Sequence, residues 1–266
     1  MMGLKVGDVV EVRTEAEILA TLDERGELDA LPFMPELLAY SGRRLTVHKV
    51  AHKLCDTQTR TGLRKMDSAV HLTGARCDGS AHGGCQTACS LYWKEAWIKR
   101  VEPGMEHAPA ARTACCRCWR PTRASRPATA ARCATPARPP SYWLKDGLPW
   151  GFLKGHASAP TPSQELDLRP GELVRVKPKE EILRTLTSDL LNRGMGFEQE
   201  MPRYCGSTAR VRARVEKCID ERTGRMLHMK NPCIVLDEVV CQEVHSLNCP
   251  REFVPFWREI WLERAG

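Results

Sequence analysis

The sequence predicts a β-rich α+β fold: two tandem copies of a small SH3-like barrel module, each with an inserted helix and a cysteine-rich metal loop. Three observations predict it. The chain aligns with itself without a gap at one offset of 164 residues, Gly7 onto Gly171, over a stretch of about 90 residues. Short alternating runs rich in valine, such as Val9, Val10 and Val12, are punctuated by Gly-containing turns in both copies. Apolar residues at helical spacing occur in one matching place per copy, Ile18, Leu19 and Leu22 against Ile182, Leu183 and Leu186.

The matches continue along the whole module. Phe33, Tyr40, Gly42, Val47, Asp56 and Leu72 fall on Phe197, Tyr204, Gly206, Val211, Asp220 and Leu236. Cys77, Cys85, Trp93, Glu95 and Trp97 fall on Cys241, Cys249, Trp257, Glu259 and Trp261. A first module over 1–106 and a second over 165–266 follow, joined by a linker over 107–164 that is expected to be disordered. Residues 108–140 are Ala-, Arg-, Pro- and Thr-rich without hydrophobic period, and their composition is also that of an out-of-frame stretch of a GC-rich gene.

Taken in order, residues 5–13 read as a strand. Residues 14–23 read as a helix, with Thr14 as N-cap and Glu17 at the third helical position. Residues 26–42 form a Pro-broken connection, and 44–51 and 66–72 two further strands. Residues 86–100 fit either an amphipathic helix or a last strand, because Trp93 and Trp97 share a face in both. In the second copy, 172–176 reads as a strand and 179–191 as a helix. Then come a strand over 209–216, a hairpin turn at 220–224, its returning strand over 225–230, and a buried strand over 233–240.

The formal net charge of +7 suggests nucleic acid, but its location argues against it. Residues 107–144 hold seven arginines and no Lys, Asp or Glu, so the excess belongs to the linker and not to either module. No run reaches the length of a membrane span and residues 1–7 lack the apolar core of a secretory leader, so a cytoplasmic location is expected and membrane association is not. In a thiol-preserving compartment, the thirteen cysteines point to metal rather than disulfides.

The densest cysteine stretch is Cys77-Asp78-Gly79-Ser80-Ala81-His82-Gly83-Gly84-Cys85-Gln86-Thr87-Ala88-Cys89. It has too little apolar surface to hold one shape by itself, and Gly-rich thiol loops are a usual provision for a metal or cluster. With Cys55 upstream, the first copy offers Cys55, Cys77, Cys85 and Cys89. The second offers Cys205, Cys233, Cys241 and Cys249, with Cys218 as a spare. The spacings are long and unequal, which suits an iron–sulfur cluster better than a single zinc, the alternative. His82 is a further candidate ligand. The tryptophans read as core rather than an electron path, and no nucleophile elbow, phosphate loop or dinucleotide fingerprint is present.

Phe33-Met34-Pro35-Glu36, His52-Lys53-Leu54-Cys55-Asp56 and the run from Arg76 to Cys85 resemble an uncharacterised family of bacterial proteins. Tyr204-Cys205-Gly206, Arg222-Thr223-Gly224-Arg225-Met226 and Cys249-Pro250-Arg251 resemble it as well. The resemblance covers both modules, stops in the linker, and implies a two-copy layout and a gene neighbourhood of polysaccharide or secondary-metabolite biosynthesis. It implies no activity. The expected function is therefore a metal-binding protein, iron–sulfur first, that passes electrons to a biosynthetic or redox partner protein or docks on it. A zinc-stabilised interaction module without catalysis is the alternative, and a nucleic-acid-binding barrel pair ranks third.

Overall fold

A computed structural model describes residues 3–56, 63–101, 153–198, 200–243 and 249–265. Cys115, Cys116, Cys118 and Cys133 lie outside the described residues, as does most of the expected linker. The fold is β-rich with few helical turns and a curled sheet.

The first half opens with β1 (Val9–Val12), whose Val10 and Val12 are buried. Next comes α1 (Glu15–Leu19), capped reciprocally by Thr14 and Glu17 as the sequence predicts. The hairpin β2 (Glu27–Leu28) and β3 (Leu31–Pro32) follows, then a 3-10 turn at Pro35–Tyr40 and β4 (Arg44–Val50). A second hairpin, β5 (Lys53–Cys55) with β6 (Leu63–Lys65), leads into β7 (Ala69–Leu72). Residues 86–100 are neither one helix nor one strand. They hold β8 (Trp93–Lys94), a 3-10 turn at Glu95–Trp97, and β9 (Ile98–Arg100). The sheet order is β8-β7-β4-β1-β9.

The second half repeats these positions at the 164-residue offset. β10 (Leu173–Val176), α2 (Lys179–Leu183), β11 (Leu191–Asn192) and β12 (Met195–Gly196) stand where β1, α1, β2 and β3 do. β13 (Thr208–Ile219) begins in the place of β4, β14 (Met226–Leu236) ends in the place of β7, and β15 (Leu262–Arg264) matches β9. The order β14-β13-β10-β15 is extended by a bridge from Ile234 to Trp257, in the place of the Val70–Trp93 pair joining β7 to β8.

Two cores are each built on a tryptophan pair, and a smaller cluster gathers Val215, Cys233, Val235 and Val254. Trp93, Trp97, Trp257 and Trp261 are fully buried. The Trp97 indole N–H donates to Thr21 Oγ1 at 3.1 Å, and that of Trp261 to Thr185 Oγ1 at 2.8 Å. Phe33 meets Trp97 edge-on, as Phe197 meets Trp261. Glu95 and Glu259 are anchors for backbone, taking the N–H of Leu4 and of Leu168 respectively.

Besides residues 86–100, three elements differ from the sequence reading, the first being the helix expected over 14–23, which ends at Leu19. The helix expected over 179–191 ends at Leu183, because Leu186 and Leu190 reach the core from a turn and Leu190 is left-handed (φ 59°). The two strands expected over 225–240 are one, β14, which passes through Asn231-Pro232 with an irregularity opposite Val215–Lys217. Residues 153–164, in the expected linker, lie on the second half. There His156 N–H donates to Leu183 O at 2.9 Å and Ala157 N–H to Leu186 O at 2.8 Å.

Candidate metal centre

The thiols meet across the two halves. Cys55 ends β5, and its backbone N–H donates to Cys249 Sγ at 3.4 Å, while its thiol is also hydrogen-bonded to that sulfur. The N–H of Arg251 points to the same sulfur. These donors, the Cys55 thiol foremost, outweigh burial and bring Cys249 down to about 6 from its ordinary 9.0. Cys249 is therefore largely a thiolate at neutral pH.

The mirror contact lies at the opposite positions. Cys85, 164 residues before Cys249, accepts the N–H of Ile219 at 3.3 Å, and Ile219 stands 164 residues after Cys55. Each half thus offers the sulfur of a cysteine shared by the two copies to a strand of the other. Ile219 brings no thiol, but its neighbour Cys218 faces the field of Cys85, and burial raises the Cys218 thiol.

Both contacts are anchored by side chains that the sequence reading did not single out. Gln86 completes the edge of β13: its Oε1 accepts the N–H of Glu216 (2.8 Å) and of Lys217 (3.0 Å), and its own N–H donates to Lys217 O (3.1 Å). On the other side Glu252 gathers His48 Nε2 at 2.7 Å, Lys49 Nζ at 3.2 Å and Arg76 Nη2 at 3.6 Å. Arg251 bonds Glu221 and reaches Cys55 O at 3.5 Å. The signal for these residues was slight: Gln86 stands in the densest cysteine stretch and Arg251 in the Cys249-Pro250-Arg251 run.

The remaining expected ligands are placed as follows. Cys77 is buried in the first core; its Sγ accepts the Gly79 N–H at 3.3 Å and lies 3.6 Å from Glu36 Oε1. His82 Nδ1 is 3.0 Å from the same carboxylate oxygen. Cys89 faces the fields of Cys85 and of Glu221, Arg251 and Arg76. Burial pushes both Cys77 and Cys89 up to about 11. Cys205 packs on the second core and is likewise raised by burial to about 11. Cys241 pairs its backbone N–H with Phe253 O. Cys233 is wholly buried, with its sulfur 3.2 Å from both Met195 Sδ and Met229 Sδ and 3.5 Å from Arg258 Nη1.

Of the four cysteines expected in the first half, Cys77 and Cys85 each interact electrostatically with Cys89. Cys55 meets Cys249 of the other half, and Cys233 meets methionine sulfurs. Among the described residues no three His, Cys, Asp or Glu side chains stand ready to hold a metal ion. The donor chemistry at the junction still fits a soft cation: two thiols in contact, one of them ionised, with N–H groups directed at the sulfur. The pair would fill two positions of a tetrahedral site, whose further ligands would have to come from outside it. Compared with known families and with curated proteins, the chain matches no family and no curated protein.

Proposed function

We propose that this chain is a thiol-based metal-binding accessory protein, with an iron–sulfur cluster as its leading cofactor. Its role is to pass electrons to, or to dock on, a biosynthetic or redox enzyme. The observation that supports this most is the contact of Cys55 with Cys249, which places an ionised sulfur and a second thiol at the junction of the halves. Metal ligation requires deprotonated thiols, and a sulfur already held as thiolate by N–H donors loses no proton on binding. Cys89, within the fields of Cys77 and Cys85, belongs to the nearest further group of thiols.

Zinc is the second reading, favoured by the same contact: a closed ion shared by two halves ties them together and needs no redox change. In both readings each half is a small SH3-like barrel, supported by the matching strand orders and by the two tryptophan-centred cores.

Anaerobic purification followed by metal and sulfide analysis tests the reading. Iron with acid-labile sulfide and a visible charge-transfer band supports the cluster, and colourless protein with stoichiometric zinc supports the alternative. Protein that binds neither metal overturns both.

A further inference from the structure

The two halves treat one buried cation differently. In the first, Lys94 is 2% exposed and its ammonium is neutralised by Asp29 Oδ2 at 3.0 Å; it also donates to Asp67 O at 2.8 Å. Asp29 is held over Lys94 by the tight β2–β3 turn, where its φ is 50°. At the same positions 164 residues on stand Arg258 for Lys94, Asn231 for Asp67 and Arg193 for Asp29.

The backbone contact is kept, since Arg258 Nη1 donates to Asn231 O. The carboxylate is not. Arg193, in the equivalent turn with φ 48°, turns its side chain away to Thr161 O (2.7 Å) and Ser163 Oγ (3.4 Å). Its backbone oxygen accepts from Arg258 Nη2 at 3.1 Å. Arg258 is 8% exposed and its buried Nε has no partner among the described residues. Among the described residues no carboxylate pairs with it, and a buried charge without a counter-ion is costly. A pocket open to solvent lies here, with Arg258, Arg193, Asn231, Ser163, Glu165 and Glu259 among its walls.

We propose that this pocket binds a small monocarboxylate between Arg258 and Arg193, where the first half carries the side-chain carboxylate of Asp29. A guanidinium matches a carboxylate in shape and hydrogen-bond direction. Two carboxylates also line the pocket. Glu259 is already satisfied by Arg214 Nη1 at 2.6 Å and by the N–H groups of Leu166 and Leu168, whereas Glu165 is exposed. Their charge selects a singly charged ligand over a phosphate dianion. The site is independent of the junction thiols.

The test uses the full chain and sodium acetate as probe, against sodium chloride at equal ionic strength, with inorganic phosphate as a third arm. Ligand-observed NMR should show saturable acetate binding, with a dissociation constant on the order of millimolar for so small a ligand. Thermal unfolding should rise by about 4 °C at ten times that concentration. R193D, which restores the Asp29 arrangement, should raise Tm in chloride alone and lose the acetate response; R258Q should lose the response without that gain. Acetate acting no differently from chloride on the unaltered protein overturns the proposal. So does an undiminished response in R193D or R258Q, or phosphate binding more tightly than acetate.

Discussion

His71 is buried with only half of its ring satisfied. Nδ1–H donates to Leu91 O at 2.8 Å, Nε2 has no partner among the described residues, and the ring lies against Tyr92. Burial, the largest cause, pushes its pKa down from 6.5 to about 4. The neutral ring is therefore the folded form, and its contribution is present above pH 6.5 and lost as pH falls through 4. Urea midpoints measured from pH 7 to 4 should fall over this window, and H71Q, which keeps a donor but does not titrate, should flatten the fall. Cys249 acts in the same sense at higher pH. Its depressed pKa adds stability that is complete above 9 and lost as pH falls through about 6. In metal-free protein, alkylation of Cys249 should show an inflection near that lower value, and C55S should move it toward the ordinary thiol range of 9.0 because the largest stabilising donor is gone.

The Cys77–Cys85 loop owes its shape to Gly79. Its φ is +76°, and an added Cβ would stand 2.0 Å from Cys85 O. G79A should therefore cost at least about 2 kcal/mol in chemical denaturation and expose Cys85 to alkylation, since both backbone strain and a backbone clash oppose it. Elements of this kind differ in how well the sequence shows them. The cap of α1 was legible because Thr14 and Glu17 are a local, three-residue device. The end of α2 was not, because Leu186 and Leu190 keep helical spacing while reaching the core from a turn. The passage of β14 through Pro232 was hidden for a related reason: an irregularity in pairing tolerates a residue that a regular ladder excludes. The cysteines could be singled out from composition and spacing, but their partners could not. Spacing within one copy says nothing about a contact made by residues nearly 200 positions apart.

At the scale of the molecule, the halves are joined by two related contacts, Cys249 on Cys55 and Cys85 on Ile219. Only one of them has a thiol on the contacted strand residue itself. I219C should supply it at the other, and the variant should then bind zinc more tightly than the unaltered chain in a chelator-competition titration. Unchanged zinc affinity would mean that the two contacts are not equivalent in geometry.

Such exchange, in which each body lends the same loop to the other's strand, is the rule of a face-to-face homodimer. The first half alone carries both members of the contact, Cys55 to receive and Cys85 to be received. Two untethered copies of it are thus self-complementary, and each would present to its twin the surface it now presents to the second half. Covalent linkage removes the requirement that the two sides be identical. That freedom is visible where one side holds a paired lysine and the other a guanidinium left to find its anion elsewhere.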